Sequence, residues 1–361
     1  MLSKEKFLAV LASSLFLLPA LAFGQYQRTD LVANAPDSNL VTKDANLVNG
    51  WGLTRAPKLP PVLPNGSPFW VSDNSTGKST LYTGAGQKLG LVVTIPPAAG
   101  GTKGSPTGTV FNITLTNQTP SFSVSNGVKS GTAIFIFSTL DGTISGWSPG
   151  VDGTHALMAF DGSSMGSVYT GLAVTSDASG DFLYVADNGP NSRIDVFDKN
   201  LKLIRSFTDP AIPGGLAPYG IQNINGNLWV TFGGNTKSRA GGTGFVDEFD
   251  AAGNVILRIG GNAPLHSPWG LAMAPADFGQ FSNALLVANN IPDGRIDAFD
   301  PTTGAFLGTL RDATGQAIVI NQIWAIQFGN GGAGGNTNQL FFTAGPNNYA
   351  NGLFGKIEVA P

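Results

Sequence analysis

An aromatic residue or threonine followed by glycine recurs along the chain and is the first pattern that could carry chemistry. It occurs in NGWGL, SPTGTV, VYTGLAV, APYGI and SPWGLA and, with alanine in place of glycine, in QIWAI. Aromatic rings offer a sugar, an aromatic or an apolar ligand a surface to stack on. We predict a binding surface formed by Trp51, Thr107, Thr170, Tyr219, Trp269 and Trp324. The alternative is that these rings pack against one another and seal the fold without touching a ligand.

Asp and Asn residues close the apolar run that follows three of these motifs, in VSDN, VADN and VANN. They are Asp73, Asn74, Asp187, Asn188, Asn289 and Asn290. We predict that they surround the aromatic residues and orient a ligand through hydrogen bonds. Their oxygens would also suit Ca²⁺, which takes roughly six to eight oxygen ligands. Asp and Asn equally close ordinary turns by bonding their own backbone, so no metal ligand set is assigned.

Histidine is rare in this chain and cysteine is absent. His266 directly precedes Ser267, Pro268 and Trp269, which makes it the single candidate for a general base. A lone histidine in a surface loop more often has no catalytic role. The lack of cysteine excludes disulfides, thiolate zinc sites and cysteine nucleophiles. A formal charge of −3 argues against nucleic acid as a partner.

Short apolar runs separated by turn residues are the elements that must position these side chains. The aromatic motif recurs at intervals of roughly 50 to 60 residues. A second run follows each copy, as in FWVSDN, LYVADN and LLVANN, then a third, as in RIDVFD and RIDAFD. Most units add a fourth, as in LKLIRSF and NVILRI. With 49 glycines and 23 prolines in 361 residues, residues that interrupt helices are too frequent for long helices to form. We therefore predict hairpin-linked antiparallel strands.

Four strands in each of six units predict an all-β fold, a six-bladed β-propeller that forms a single domain over residues 25–361. The last unit supplies three strands, and residues 26–33 read as an unassigned strand ahead of the first unit. We therefore predict that 26–33 completes the last blade and closes the ring without an exposed edge. The glycine after each aromatic would let the inner strands approach at the axis. All the candidate residues above would then lie at one mouth of the central channel.

The SPWGLA, LYVADN and RIDVFD strings, with FIFSTLDGTISGW at 135–147, resemble the NHL-like six-bladed propellers and, more narrowly, an uncharacterised family of exported bacterial propellers. The likeness covers the chain beyond the first two dozen residues and implies the fold more than the function. Lactone hydrolases on six-bladed propellers hold Ca²⁺ in the channel, which implies a lactonase as one alternative. They also place a glutamate on an inner strand, and this chain has none at that position. A quinone-dependent sugar dehydrogenase is a further alternative, but the aromatic ring lacks a basic residue to meet the cofactor's carboxylates.

The N-terminus predicts export. Lys4 and Lys6 precede an apolar run at 7–18 and the small-residue site Ala20–Ala22, which is typical of a signal peptide over residues 1–24. The run is short for a membrane-spanning helix. We therefore expect a secreted or periplasmic protein of bacterial type, and a monomer. The predicted function is a binding propeller without cofactor that recognises a glycan, a cell-surface component, another protein or a small molecule, with a Ca²⁺-dependent lactonase-type hydrolase as the alternative.

Overall fold

Six blades, each with four antiparallel strands, surround a central channel in the computed structural model of the protein, which describes residues 25–35, 42–61, 63–234, 244–261 and 263–360. The predicted signal peptide lies outside these residues. The first blade contains β3 (Gly50–Thr54), β4 (Phe69–Asp73), β5 (Lys78–Tyr82) and β6 (Lys88–Thr94). The second contains β7 (Pro106–Phe111), β10 (Phe135–Thr139), β11 (Thr143–Trp147) and β12 (Leu157–Asp161). A small hairpin, β8 (Ser123–Ser125) and β9 (Ser130–Thr132), is inserted in this blade.

The next three blades are each built from four consecutive strands. The third has β13 (Tyr169–Asp177), β14 (Gly180–Asp187), β15 (Arg193–Phe197) and β16 (Leu203–Phe207). The fourth has β17 (Ala217–Ile224), β18 (Asn227–Gly233), β19 (Phe245–Phe249) and β20 (Val255–Ile259). The fifth has β21 (Pro268–Met273), β22 (Leu285–Asn289), β23 (Ile296–Phe299) and β24 (Phe306–Thr309). The described helices are three short 3₁₀ turns, at Ile113–Thr116, Ser163–Met165 and Gly279–Phe281.

The sixth blade joins the two ends of the described chain. It contains β25 (Ile323–Phe328), β26 (Leu340–Ala344) and β27 (Leu353–Val359), with β1 (Tyr26–Ala33) as its outer strand. β1 runs antiparallel to β27 from the pair Tyr26–Val359 to the pair Ala33–Leu353. A two-residue strand, β2 (Thr42–Lys43), adds to β1 in parallel. The predicted six-bladed propeller and its closure by residues 26–33 are confirmed.

The hydrophobic core lies between adjacent blades, where the flat face of one sheet packs on the next. Trp70 of the first blade stacks on Phe135 of the second at 4.2 Å between ring centroids. Leu286 of the fifth blade and Phe342 of the sixth belong to one buried cluster. Each blade therefore depends on its neighbours to bury its apolar faces.

The glycine of the aromatic motif is required by close approach between inner strands. A Cβ on Gly220 would lie 2.0 Å from the carbonyl oxygen of Trp269 in the next blade. A Cβ on Gly52 would lie 2.3 Å from the carbonyl oxygen of Thr107. Real Cβ atoms do not approach backbone oxygens this closely, so the repeated glycine sets the spacing of the strands that surround the channel.

Candidate functional site

Four aromatic side chains meet at the mouth where the inner strands begin. We call Trp51, Tyr219, Trp269 and Trp324 the aromatic cluster. The rings of Trp51 and Trp324 stack with centroids 3.6 Å apart. Tyr219 and Trp269 contact both of them edge-on, at 5.8 to 6.4 Å. All four residues are buried, with exposed fractions between 1% and 9%, so the cluster closes this mouth of the channel.

Hydrogen bonds between blades hold the aromatic cluster in place. Trp269 Nε1 donates to the carbonyl oxygen of Thr170 at 3.1 Å, and Trp324 Nε1 donates to Asn49 Oδ1 at 2.8 Å. Thr107 Oγ1 donates to the carbonyl oxygen of Tyr169 in the next blade at 2.7 Å. This bracing and burial favour the packing interpretation. Trp51 Nε1 is buried without a hydrogen-bond partner among the described residues, and a ligand-binding role for the cluster stays a prediction.

Three of the asparagines tie one blade to the next. Their side-chain amides donate to carbonyl oxygens where the following blade begins: Asn74 to Pro106 at 3.1 Å, Asn188 to Pro218 at 2.9 Å and Asn290 to Ile323 at 3.0 Å. Two of these asparagines, Asn74 and Asn290, are at least nine-tenths buried. This contact explains why the asparagine recurs in alternate blades, and it leaves few of the amide groups for a ligand.

The residue that precedes each asparagine differs from blade to blade. Asp187 Oδ1 accepts backbone N–H groups of Val168 and Gly189, both at 2.9 Å. Asn289 Oδ1 accepts the backbone N–H of His266 at 2.7 Å. Both carboxyl oxygens of Asp73 are buried without a hydrogen-bond partner among the described residues, and burial raises the pKa of this group well above its ordinary value. Across the described ranges, no three His, Asp or Glu side chains converge as metal ligands, and a Ca²⁺ site stays untested.

His266 lines a polar cavity of about 320 Å³ in the fifth blade. Its Nδ1 is buried and has no hydrogen-bond partner in the described part of the chain. In the same cavity Asp297 accepts from Asn289 Nδ2 at 2.8 Å and from Thr309 Oγ1 at 2.5 Å. Burial raises the pKa of Asp297, and these hydrogen bonds oppose the rise. The cavity is separate from the aromatic cluster, and the role of His266 as a general base stays a prediction.

The channel opens at the opposite mouth, where the inner strands end. A cavity of about 280 Å³ lies there and narrows to a space of about 30 Å³ beneath Trp269. We call this opening the distal mouth; its polar lining residues are Thr54, Arg55, Thr109, Gln222, Asn223 and Gln327. Leu53, Val110, Phe111 and Val174 provide an apolar part of the wall. The open cavity is therefore at the other end of the channel from the surface that the aromatic motifs predicted.

Two polar atoms of the distal mouth have no partner. Thr109 Oγ1 and Gln327 Oε1 are buried without a hydrogen bond to any described residue, and Thr109 is only 7% exposed. A buried polar group without a partner costs about 1–3 kcal/mol. Both residues line the cavity of about 280 Å³.

Arg55 supplies the charge of the distal mouth. Its Nε donates to the carbonyl oxygen of Phe328 at 2.9 Å and its Nη2 to that of Gly329 at 3.3 Å. Burial lowers the pKa of Arg55 to about 10, so the group is still a cation at neutral pH. The sequence analysis missed Arg55, Thr109 and Gln327 because each is a single polar residue within or directly after an inner strand. The position of Arg55, a charged residue directly after the WGLT strand, could have predicted a polar site at the mouth where the inner strands end.

Comparison with known proteins identifies relatives and a fold. No protein-family model matches the chain. Uncharacterized protein R648 of Acanthamoeba polyphaga mimivirus is 29% identical over 343 residues, which cover 91% of this chain and 78% of that protein. Uncharacterized protein R640 of the same virus is 33% identical over 218 residues, which cover 57% of this chain and 40% of that protein. The NHL-like family and the bacterial source that the motifs suggested are not shown by these relatives.

A solved structure with the same architecture is the PQQ-bound aldose sugar dehydrogenase from Streptomyces coelicolor. Its TM-score is 0.50 at 12% sequence identity, and the match covers 93% of this chain and 99% of that chain. At this identity the likeness shows the propeller fold alone. Among the residues that the structure describes, no helix has the length and apolar character needed to span a membrane.

Proposed function

We propose that this protein is a non-catalytic binding propeller that holds a small organic molecule in the distal mouth of its channel. The observation that carries the proposal is the pair of buried, unpartnered polar atoms, Thr109 Oγ1 and Gln327 Oε1, on a cavity of about 280 Å³. A bound ligand that makes hydrogen bonds to them removes the cost of leaving them unsatisfied. The volume is at the small end of ligand pockets, which favours a metabolite-sized molecule.

Sequence motifs support four further parts of the proposal. They are export through residues 1–24, a secreted or periplasmic location, membership of an NHL-like family and a bacterial source. The competing proposal is that a protein or glycan binds at the mouth that the aromatic cluster closes. The burial of the aromatic cluster weighs against that proposal.

The alternative function is a lactonase-type hydrolase, and one observation favours it. His266 has a buried, unpartnered Nδ1 in a cavity of about 320 Å³ that also contains Asp297. A histidine beside a carboxyl group is a familiar general-base arrangement. Ca²⁺ would be the implied cofactor, and the Asp187 and Asn289 oxygens that it would use already accept backbone N–H groups.

A thermal-shift screen against several hundred small metabolites tests the binding proposal. A ligand present at 100 times its Kd stabilises the folded protein by about 2.7 kcal/mol, which is visible as a higher melting temperature. We expect hits whose effect is lost in Gln327→Leu, because leucine keeps the volume and removes the polar atom. Gln316→Leu, at an exposed turn position, is the matched control and should bind as the wild type does. A screen without any hit, or hits that Gln327→Leu leaves unchanged, would reject the proposal.

A further inference from the structure

The charge of Arg55 is not balanced by any acid in the described part of the chain. The ion pairs of the described residues join other partners and none includes Arg55. Its two hydrogen bonds go to backbone carbonyls, through Nε and Nη2. The other residues that line the distal mouth are uncharged. The cavity is thus lined by one cation and by no anion.

An unbalanced, half-buried guanidinium favours an anion beside it. Arg55 uses two of its five N–H groups on carbonyls, and its Nη1 makes no hydrogen bond to a described residue. Hydrogen bonds between a guanidinium and a carboxylate are roughly twice as strong as neutral ones. Because the wall of the cavity excludes part of the solvent, the attraction is screened less than on an open surface.

The neutral polar atoms restrict the ligand further. The Thr109 hydroxyl can donate to an anion, whereas Gln327 Oε1 accepts and so requires a donor such as a ligand hydroxyl. Leu53 and Val174 leave an apolar wall for carbon atoms. We propose that the distal mouth binds a small hydroxylated carboxylate, with the carboxylate at Arg55 and Thr109 and a hydroxyl at Gln327. This inference rests on the proposed function and specifies the chemical class of its ligand.

Calorimetric titration with paired probes tests this class directly. The first pair is gluconate and sorbitol, which share a six-carbon hydroxylated skeleton and differ in charge. The second pair is lactate and 1,2-propanediol. All titrations are made at the same ionic strength, set with NaCl, and a sodium sulfate titration measures binding of an inorganic anion. We expect a carboxylate of at least one pair to bind at least ~10 times more tightly than its neutral partner, since the charged hydrogen bond is lost in the neutral one.

Two variants and a control assign the binding to the distal mouth. Arg55→Gln should weaken carboxylate binding at least ~10-fold, since it removes the cation. Arg205→Gln is the matched control, because Arg205 also donates to two backbone carbonyls, of Ala251 and Ala252, but lies on the outer strand β16. Thr109→Val removes only an unpartnered hydroxyl, so it should fold as the wild type does and weaken binding ~3-fold or more. Thr109→Val therefore decides the matter if Arg55→Gln does not fold.

Each outcome has one meaning. Carboxylate binding that falls in Arg55→Gln and Thr109→Val but not in Arg205→Gln supports the inference. If sorbitol or 1,2-propanediol binds as tightly as the carboxylate of its pair, and Gln327→Leu abolishes this binding, the ligand is not a carboxylate. The proposed binding function still stands in that case. Sulfate binding as tight as gluconate binding overturns an organic ligand at Arg55. If neither the probes nor the metabolite screen gives any binding, the proposed function itself fails.

Discussion

At the residue scale, Asp73 differs from its counterparts at the end of the second strand in other blades. Asp187 accepts three hydrogen bonds, and Asn289 accepts one and donates two. Asp73 has none within the described chain, and the nearby Thr80 hydroxyl donates to Tyr82 Oη at 2.8 Å instead. Burial disfavours the charge of this carboxyl group and raises its pKa well above the ordinary value.

Asp73→Asn should raise the stability of the protein at pH 8. The pKa of Asp73 is raised in the folded state, so the unfolded chain releases a proton that the folded chain keeps, and the free energy of unfolding falls as the pH rises above about 4. Asparagine has the shape of the protonated acid and no such dependence. We expect a higher melting temperature for Asp73→Asn at pH 8 and little difference at pH 4, measured by circular dichroism.

Asp187→Asn is the control for this substitution. The amide keeps one acceptor oxygen and cannot replace all the contacts that Asp187 accepts, so this variant should lose stability, by roughly 1 kcal/mol. An Asp73→Asn protein that melts below the wild type at pH 8 would contradict a raised pKa for Asp73.

Trp269→Ala separates packing from ligand binding in the aromatic cluster. Trp269 is 9% exposed, contacts Trp51 and Trp324 edge-on and donates to Thr170 across the channel. Truncation should therefore cost on the order of 3 kcal/mol in urea unfolding. Trp269→Phe, which keeps most of the ring, should cost less. Affinity for a distal-mouth ligand, measured per folded molecule, should change little. A mild loss of stability together with abolished binding would place the ligand at the aromatic cluster instead.

At the element scale, β1 is the strand on which closure of the sixth blade depends. It pairs with β27 along nearly its whole length and buries Tyr26 and Val32 almost completely. Tyr26 Oη also donates to the carbonyl oxygen of Phe278 at 2.9 Å, in the loop that follows β21 in the fifth blade. Deleting residues 26–33 should lower the melting temperature by roughly 10 °C or more, because several kcal/mol of apolar burial are lost along with the ladder. A change of one or two degrees in differential scanning calorimetry would be incompatible with this role.

The strands could be predicted because their signals repeat. Residues 26–33 form β1 as predicted, and the inner strands begin at the repeated motifs, which glycine marks in five of the six blades. The hairpin β8–β9 was not predicted, since SVS and SGT are short and largely polar and show no extended alternation. The asparagines were predicted as ligand groups, but their contacts to the next blade depend on distances across the ring that no local pattern encodes.

At the scale of the whole molecule, the two ends of the channel have different chemistry. The aromatic cluster fills one end, while Arg55, Thr109 and Gln327 surround a cavity at the other. The sequence predicted where the aromatic rings would gather, since they recur at one position of a repeat. It could not predict the distal mouth, because Arg55, Thr109 and Gln327 come from three different blades and occupy no common position in the repeat. Closure of the ring is what brings them together.

The pairing of β1 with β27 also fixes an order of events during synthesis. Blades one to five each take their strands from one continuous stretch of chain, so all the strands of these blades are made before the ring can close. β1 leaves the ribosome before all of them, yet its partner β27 is made more than three hundred residues later. Loop-closure entropy adds little to this delay, because each doubling of loop length costs only about 0.6 kcal/mol. Until β27 is made, β1 lacks its antiparallel partner in the sixth blade and the ring stays open, so closure of the ring is the last step of assembly.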